Sequence, residues 1–292
     1  MTNLLITQIL NGITSGLIFA LITLGLSIVL GLMGVMNFAH GSFYMFGGYI
    51  AYMMFEKLGT FWLGLTVAAA ACAVIGLALY LLLVRPLAKR SPLEALLGLV
   101  GISMIFEQAA RTFWGAEPKV LPIPFGTVQI QVLGLDFPYP VYFLVAMGVS
   151  VVILAAMSFL FRRTDVGIRC LAAIQDHEMA SSMGVNVNLI NAFMFTVGMA
   201  VAGLAGGLAG PIFSVYPNMG IELIGILFVI AIVGGMGSVA GTVIAAITLG
   251  LAKSISSIFI SGNLSEILAF TLLLIILLIR PRGLMGIASV MD

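Results

Sequence analysis

Several uncharged apolar runs, each long enough to cross a lipid bilayer, constrain this chain more than any other feature. Three of them cover residues 5–33, 61–84 and 141–161. A helix of roughly 20 apolar residues spans the hydrocarbon core of a bilayer, whereas about a quarter of a soluble domain is charged. Only 8% of the 292 residues are charged, and 62% are hydrophobic. The sequence therefore predicts an all-α polytopic membrane protein.

Hydropathy divides the chain into nine predicted spans within one transmembrane domain, residues 1–292. Glycines interrupt the region 221–260, so we expect about eight or nine transmembrane helices, some of them broken. The N-terminus has neither a basic region nor a cleavage site, and we expect the first run to be a permanent span. The predicted spans are 5–32, 38–56, 61–84, 93–113, 140–161, 189–212, 221–236, 243–260 and 264–280.

The basic residues predict how these spans are oriented, because Lys and Arg accumulate in cytoplasmic loops. With the N-terminus outside and the C-terminus in the cytoplasm, most of the basic residues share one side. The residues on that side are Arg85, Lys89, Arg90, Arg162, Arg163, Arg169, Arg280 and Arg282. Outside or at the outer boundary lie Lys57, Arg111, Lys119 and Lys253.

A Pro- and Gly-rich loop at about residues 114–139 falls on the outer side in this orientation. Its prolines exclude a regular helix, and its short apolar stretches are typical of strands. A loop of this length is usually functional or covered by a partner, but a plain connector fits the sequence equally well.

A polar segment, residues 162–184, interrupts the apolar chain within a cytoplasmic loop of about residues 162–188. We call residues 162–184 the polar island; it holds three arginines, two aspartates, one glutamate and one of the two histidines. Its apolar residues recur on one helical stripe, which predicts a short amphipathic helix on the membrane surface or in a partner's groove. A solvated loop helix is the alternative. The stripe comprises Ile168, Leu171, Ala172, Met179 and Met183.

Two further segments, residues 30–49 and 233–242, combine glycine with polar residues. We interpret both as broken helices or tight turns near the cytoplasmic ends of their spans, where free backbone groups can serve a pathway or gate. We interpret Asn37, a favoured N-cap type, as a helix cap, whereas His40 either lines the pathway or caps a helix. The candidate pathway or gate residues are Asn37, His40, Ser42 and Gly237.

Glycine spacing adds two structural predictions. The two glycine segments share a Gly-x-Met-Gly pattern, which hints at an internal duplication. Elsewhere, glycines four residues apart predict close packing of helices. The matched triplets are Gly31, Met33 and Gly34, and Gly234, Met236 and Gly237; the spaced pairs are Gly203 and Gly207, Gly206 and Gly210, and Gly237 and Gly241.

The chain lacks the motifs of an enzyme, a metal centre or an ATP-binding site. His177 and Glu178 begin a string like the zinc-protease motif, but Ser181 stands where the second histidine belongs. Cys72 and Cys170 have no metal or redox spacing. A P-loop, a nucleophile elbow and a basic tract for nucleic acid are all missing. We therefore expect a non-enzyme with no catalytic residue, no bound metal and no cofactor of its own.

Ionisable residues inside apolar spans are functional candidates by default. Glu107 is one, but Arg111 lies four residues on, in the order that favours a helical ion pair, so we interpret the two as a structural pair. Glu222 and Glu266 lie near outer ends of spans, where water reaches them. This scarcity of buried carboxylates argues against an ion-coupled carrier and favours an energy source outside the chain.

Four ordered blocks carry a recognisable pattern along almost the whole chain. They are residues 31–52 (GLMGVMNFAHGSFYMFGGYIAY), 85–122, 172–211 and 280–286 (RPRGLMG). Together they resemble the permeases of branched-chain amino acid ABC transporters, and the likeness is closest to the shorter of the two permease subunits in such systems.

The resemblance implies a role for the polar island. Permeases of ABC importers carry a cytoplasmic Glu-Ala-Ala motif, followed after three residues by Gly, which docks on the ATPase subunit. Met179 stands in place of the middle alanine, and Thr196 and Val197 replace a more distant Leu-Pro pair of the motif. The coupling residues that the resemblance implies are Asp176, Glu178, Ala180 and Gly184.

The resemblance also implies a function and partners. It describes a permease subunit of the bacterial inner membrane that forms a path for leucine, isoleucine and valine. A homologous second permease, two cytoplasmic ATPase subunits that bind ATP and a periplasmic solute-binding protein are the expected partners. A permease for other amino acids, amides or urea, and a stand-alone carrier or channel, are the alternatives.

Overall fold

A bundle of helices with one β-hairpin makes up the computed structural model, which describes residues 2–132, 135–260, 262–280 and 283–285. These ranges contain eleven helices. The helices are α1 (Thr2–Met33), α2 (His40–Leu58), α3 (Phe61–Leu87), α4 (Pro92–Trp114), α5 (Val141–Arg163), α6 (Asp165–Gln175), α7 (His177–Ser182), α8 (Val187–Phe213), α9 (Met219–Gly234), α10 (Val239–Ser256) and α11 (Gly262–Ile279). The antiparallel hairpin strands are β1 (Thr127–Val132) and β2 (Leu135–Pro140).

Six helices are long and apolar enough to cross a membrane, namely α1, α3, α4, α5, α8 and α10. The apolar helices α9 and α11 are shorter, and α2 has 19 residues. Within the described ranges these helices coincide with the predicted spans, which confirms the prediction of an all-α polytopic membrane protein. Arg282 of the predicted cytoplasmic set and Gly286 of the last sequence block lie outside the described residues.

The helix α2 begins inside the bundle. Gly34, with a left-handed φ of 62°, follows the end of α1. The Nε2 atom of His40, the first residue of α2, lies 2.7 Å from the carbonyl oxygen of Ile22. Ile22 is about three turns before the end of α1, so the residues between the two helices run back along α1. This is the broken-helix geometry that the segment 30–49 predicts.

Helix α1 lies at the centre of the bundle because glycines let the neighbouring backbones approach it. A Cβ atom added at Gly16 would lie 2.7 Å from the Cα of Ile247 in α10. One added at Gly25 would lie 2.8 Å from Gly198 in α8. Such close contacts between small residues hold membrane helices together, since burial from water cannot do so within lipid.

The predicted glycine pairs of α8 form a second close contact, which we call the α2–α8 seam. Gly203 lies against the backbone of Gly47, and Gly206 lies against the carbonyl group of Tyr44. A side chain on Gly206 would overlap the backbone of α2, and a side chain on Gly203 would overlap Cys72 of α3. The two helices therefore pack as the spacing predicts.

The third predicted glycine pair is different. Gly237 precedes α10 and adopts a left-handed φ of 79° in the turn after α9. Only Gly241 lies on α10, where it packs against the carbonyl group of Gly234. The prediction of one helical face for Gly237 and Gly241 is thus wrong, because a tight turn, and not a helix, contains the first of the two glycines.

The polar island and several other polar segments gather at one end of the bundle, which we call the island end. His177 lines a cavity together with Arg85 at the end of α3 and Lys89 just beyond that helix. The backbone N–H of Leu284, beyond α11, donates to the carbonyl oxygen of Val233 at 2.7 Å. The structure thus brings the end of α3, the island and the C-terminal segment to the same end, as the predicted orientation requires.

The hairpin and its loop occupy the opposite end of the bundle, which we call the outer end because the sequence predicts that it faces outward. The hydroxyl of Tyr139 in β2 donates to Oδ1 of Asn11 at 3.0 Å, which ties the hairpin to the first turns of α1. The backbones of Lys119 and Val215 pair with each other at 2.7 and 2.8 Å. The predicted outer loop is therefore held against the helices, and its predicted strands are present.

Candidate coupling surface and transport pathway

The polar island begins with a sharp return of the chain after α5. The hydroxyl of Thr164 accepts a hydrogen bond from the N–H of Gly167 at 3.1 Å, which caps the start of α6. Gly167 then lies directly against the carbonyl group of Leu160, where no side chain would fit. The Thr–x–x–Gly spacing thus folds α6 back against the end of α5.

Asp176 divides the island into two helices. Its backbone is extended, with φ −152° and ψ 105°, which ends α6. Its Oδ1 atom accepts a hydrogen bond of 2.8 Å from the N–H of Met179 and so caps α7. The single amphipathic helix predicted for the island is therefore wrong, because an aspartate that can cap the following turn favours a break over a continued helix.

Gly184 ends α7 in a left-handed conformation, with φ 83°. Its N–H donates to the carbonyl oxygen of Ser181 at 3.0 Å, and the N–H of Val185 donates to that of Ala180 at 3.1 Å. This is the Schellman arrangement, in which glycine is the favoured residue at the left-handed position. Ala180 is buried, so the short helix is attached to the bundle at this residue.

The stripe predicted on the island faces away from the bundle. The buried face of α6 consists of Gly167, Cys170 and Ala173. Burial raises the pKa of the Cys170 thiol to about 12, so this thiol is neutral at physiological pH. Of the predicted stripe, Leu171 is partly buried, while the exposed members are Ile168, Ala172, Met179 and Met183.

The methionines are the most open part of this surface. Met179 is 60% exposed and Met183 is 80% exposed, and Glu178, next to Met179, is exposed as well. Methionine adapts to irregular partner surfaces and is common in interfaces of that kind. The arrangement offers a partner an apolar contact with an adjacent negative charge.

An apolar cleft continues this surface onto the start of α8. It has a volume of about 250 Å³ and is lined by Val166 and Arg169 from α6 and by Leu189 and Phe193 from α8. The sequence pattern placed Leu189 and Phe193 in a predicted membrane span and did not predict that they extend the exposed surface of the polar island. The only sequence signal for this role is their position near polar residues, close to the start of α8 at Val187.

The predicted helix cap at Asn37 is absent. Helix α2 starts at His40, and its N-cap position is Ala39, so Asn37 lies too early to cap it. The Asn37 side chain is buried, and neither its Oδ1 nor its Nδ2 atom has a hydrogen-bond partner among the described residues. An unpaired buried amide is costly, which makes Asn37 the most anomalous of the four pathway candidates.

The other pathway candidates make separate contacts. His40 is buried with Nε2 on the carbonyl of Ile22, while its Nδ1 has no partner in the described part of the chain. The hydroxyl oxygens of Ser42 and Ser103 lie 3.1 Å apart, which links α2 to α4. The structure therefore does not bring the four candidates together as one polar site, and their pathway role stays a prediction.

Gly237 connects the island to the central helix. Its N–H donates to the carbonyl oxygen of Ser27 at 3.2 Å and to the Ser27 hydroxyl at 3.1 Å. A Cβ added at Gly237 would lie 3.4 Å from the side chain of Ile174 in α6. Gly31, from the other glycine segment, packs on the same turn. The two segments with the shared pattern thus meet each other at the island end.

The predicted ion pair in α4 is present. Arg111 Nη2 lies 3.0 Å from Glu107 Oε1, and Arg111 Nε donates to the same oxygen at 3.3 Å. Arg111 also donates to the side-chain oxygen of Asn218, just before α9. The arginine therefore joins α4 to the start of α9, a link that the local spacing did not predict.

The outer end contains charged residues that the sequence did not select as a site. Lys253 Nζ lies 3.3 Å from Glu266 Oε1, and the Tyr216 hydroxyl donates to Glu222 Oε2 at 2.6 Å. All four residues line one cavity of about 270 Å³. No group of three His, Cys, Asp or Glu side chains in the described residues is placed to hold a metal ion.

Comparison with known proteins places these features in a family. The family model described as the permease component of the branched-chain amino acid transport system matches residues 8–277. The high-affinity branched-chain amino acid transport system permease protein LivH of Escherichia coli (strain K12) is 31% identical, over 96% of this chain and 94% of LivH. BraD of Pseudomonas aeruginosa, with the same description, is 30% identical, over 96% of this chain and 95% of BraD.

A second type of permease also matches, but less completely. LivM of Escherichia coli (strain K12) is 26% identical over 93% of this chain and 68% of LivM. No solved structure matches significantly. The family is one of transport permeases and is not a class of enzymes. The chain is thus a member of the branched-chain amino acid transport permease family, and it resembles the shorter LivH and BraD type over nearly its whole length.

Proposed function

We propose that this protein is a permease subunit of an ABC importer and forms half of a path for leucine, isoleucine and valine across the bacterial inner membrane. The observation that carries the proposal is the uncovered apolar surface of the polar island. Met179 and Met183 are exposed there, between a helix start at Asp176 and a helix end at Gly184. A short helix with fixed ends and an exposed apolar surface can bind in the groove of a partner protein.

Different partners bind at the two ends of the bundle. Two ATPase subunits bind ATP and contact the island end, so this chain itself needs no cofactor and no catalytic residue. A homologous second permease completes the path, and a solute-binding protein delivers the amino acid at the hairpin end. Relatives of both the LivH and the LivM type match this chain, which supports pairing between two related permeases.

The proposed orientation has the C-terminus in the cytoplasm. Positive residues favour the cytoplasmic side, and the island end has Arg85, Lys89 and Arg169. The cytoplasmic coupling loop is then about residues 162–188, and the outer loop is about residues 114–139. Both belong to one transmembrane domain.

Motion of the ATPase subunits has a physical route into the bundle. A partner that moves α7 also moves α6, and Ile174 of α6 lies beside the turn at Gly237, 3.4 Å from where a Cβ atom would be. That turn is hydrogen-bonded to Ser27 of the central helix. A displacement of the island therefore reaches α1 and the α9–α10 turn through packed contacts, which is how a two-state path can be opened alternately.

The proposal is tested by affinity purification of the tagged chain from native membranes in mild detergent, with mass spectrometry of the captured proteins. P-loop ATPases and a second permease are expected. Purification of the chain alone from several detergents would contradict an importer and favour a stand-alone carrier.

A surface variant makes the test specific. The double variant Met179→Gln and Met183→Gln removes the apolar contact without entering the bundle, and we expect it to insert normally but to lose the ATPases and ATP-driven uptake. The matched control is Met285→Gln, a 48% exposed methionine at the island end but outside the island. Equal loss in both, or uptake at the full rate in the double variant, would contradict coupling through the island.

A further inference from the structure

The outer cavity of about 270 Å³ has an apolar side that suits an aliphatic group. The rings of Phe19 and Phe213 stack there, with centroids 6.4 Å apart and planes at 12°. Leu223 and Ile226 of α9 complete this side. The cavity is slightly smaller than the roughly 300–1,000 Å³ usual for ligand pockets, which fits a solute of a few carbon atoms.

The cavity lining also includes charged side chains. Glu222 accepts a hydrogen bond from the Tyr216 hydroxyl, and burial together with the Glu222 carboxylate raises the pKa of Tyr216 to about 12. Tyr216 therefore keeps its proton and stays a donor at neutral pH. In the part of the chain that the structure describes, no basic side chain forms an ion pair with Glu222.

The ammonium group of Lys253 has more hydrogen-bond donors than its ion pair uses. It is paired with Glu266 at 3.3 Å, but an ammonium group carries three N–H donors and a single carboxylate oxygen engages one of them. Lys253 can thus accept a second carboxylate without losing Glu266. The cavity combines one available carboxylate, one partly available ammonium group and an aliphatic side.

The inner end of the cavity is closed by backbone contact. Tyr44 of α2 and Met219 of α9 line the cavity, and one turn from Tyr44 the backbone of Gly41 touches that of Gly220. The ring of Phe38, just before α2, lies 5.1 Å from that of Phe228 in α9. A solute in the cavity therefore stops at the junction of α2 and α9.

We propose that the outer cavity is a binding subsite for the α-amino acid, in which Glu222 receives the ammonium group, Lys253 receives the carboxylate and the apolar side receives the aliphatic side chain. The inference rests on the proposed function and adds the residues that would hold the cargo. Three complementary features meet in one cavity, and a neutral zwitterion with a branched side chain matches all three.

The charge balance makes a specific prediction about analogues. Glu222, Glu266 and Lys253 together give the cavity a net negative charge, so an anion without an ammonium group is disfavoured. We expect leucinamide, which keeps the ammonium group, to compete with leucine better than 4-methylpentanoate, which lacks it. The Glu222→Gln variant should reduce this difference, and Lys253→Gln should reduce the difference between leucine and leucinamide.

The experiment measures binding of radiolabelled L-leucine to the purified complex without its solute-binding protein, with leucinamide and 4-methylpentanoate as competitors. Glu222→Gln and Lys253→Gln should each raise the Kd for leucine on the order of tenfold, the loss expected for one charge-assisted contact. Glu56→Gln and Lys57→Gln are the matched controls, because both are exposed at the outer end and neither lines the cavity. Normal yields of intact complex exclude a folding defect.

Two results would overturn the subsite. One is a wild-type complex without saturable leucine binding, and the other is a pair of variants that keep both the wild-type Kd and the wild-type order of analogues. A parallel assay of ATP-driven leucine uptake by the complete wild-type importer separates this failure from that of the proposed function. If uptake is normal while the variants bind as the wild type does, only the subsite is wrong; if uptake of leucine, isoleucine and valine is absent, the proposed function is wrong.

Discussion

Glycine in the α2–α8 seam and glycine at the end of α7 in the polar island serve different purposes. Gly206 in the seam lies on the carbonyl group of Tyr44, so a side chain there has no space. Gly184 in the island would have no described atom within 4 Å of an added Cβ, but its φ is 83°. Position 206 thus needs glycine for its lack of volume, whereas position 184 needs it for its backbone freedom.

This difference distinguishes the seam, which is part of the rigid scaffold, from the polar island, which is the proposed coupling surface. Backbones in contact leave the seam a single arrangement, because any displacement along it creates overlap. The island is attached to the bundle by helix caps and a few small buried residues such as Gly167 and Ala180. We infer that the seam stays fixed when a partner moves the island, and five predictions test this contrast from the largest effect to the smallest.

The largest effect is expected in the seam. Gly206→Leu should prevent α2 and α8 from meeting and destabilise the fold by more than about 3 kcal/mol, since overpacking alone commonly costs 1–3 kcal/mol. The measurement is the yield of monodisperse protein in size-exclusion chromatography. Gly148→Leu in α5 is the control, because an added Cβ there meets nothing within 4 Å, and it should express as the wild type does. Equal yields of the two variants would contradict the fixed seam.

The next effect is expected at Gly184. A β-branched residue at φ 83° is strained by about 1–3 kcal/mol, so Gly184→Val should disrupt the end of α7 and abolish ATP-driven uptake while the protein still inserts. Gly184→Asn should retain most of the uptake, because asparagine tolerates the left-handed region. Uptake at the full rate in the valine variant would show that the island does not couple to transport.

Asp176 should show a smaller effect of the same kind. Asp176→Ala removes the 2.8 Å hydrogen bond that caps α7, at a cost of about 1 kcal/mol, and uptake should fall severalfold. Asp176→Asn keeps the cap and loses the charge. Near-normal uptake by the asparagine variant assigns the role to capping, whereas equal loss in both variants would assign it to the charge.

The ion pair of α4 belongs to the scaffold but is partly open to solvent. Glu107→Gln should lower the stability by less than about 1 kcal/mol, as is usual for accessible pairs. Arg111→Met should cost more, because it also removes the contact with Asn218 that joins α4 to α9. Thermal unfolding of the purified protein followed by tryptophan fluorescence measures both, and the reverse order would contradict the cross-link.

The smallest effect concerns the thiol on the buried face of α6. Cys170 is buried and its pKa is raised to about 12, so it should not react with a maleimide at pH 7. Reaction that appears only when the ATPases turn over would indicate that α6 leaves the bundle during the cycle. Rapid reaction in the resting protein would contradict the burial of this face. In a Cys72→Ala background, any maleimide labelling comes from Cys170.

The periodic features of the sequence were sufficient for the helices and for the island as a separate polar unit. The ion pair of Glu107 and Arg111 was also predictable, because both residues lie on one helix at a fixed spacing. The single island helix was predicted wrongly because apolar periodicity does not register a capping side chain, and Asp176 ends one helix to start another. Asn37 was assigned to a cap for a related reason, since residue type suggests a cap without locating the start of the helix.

The outer cavity lay beyond sequence reasoning. Phe19, Tyr216, Glu222, Lys253 and Glu266 come from different helices and loops, and no spacing along the chain relates them. Composition and periodicity determine which segments enter the membrane, because transfer into lipid and local hydrogen bonding act within about 20 residues. Only the tertiary structure decides which side chains meet, because close glycine contacts set the depth and rotation of each helix against its neighbours.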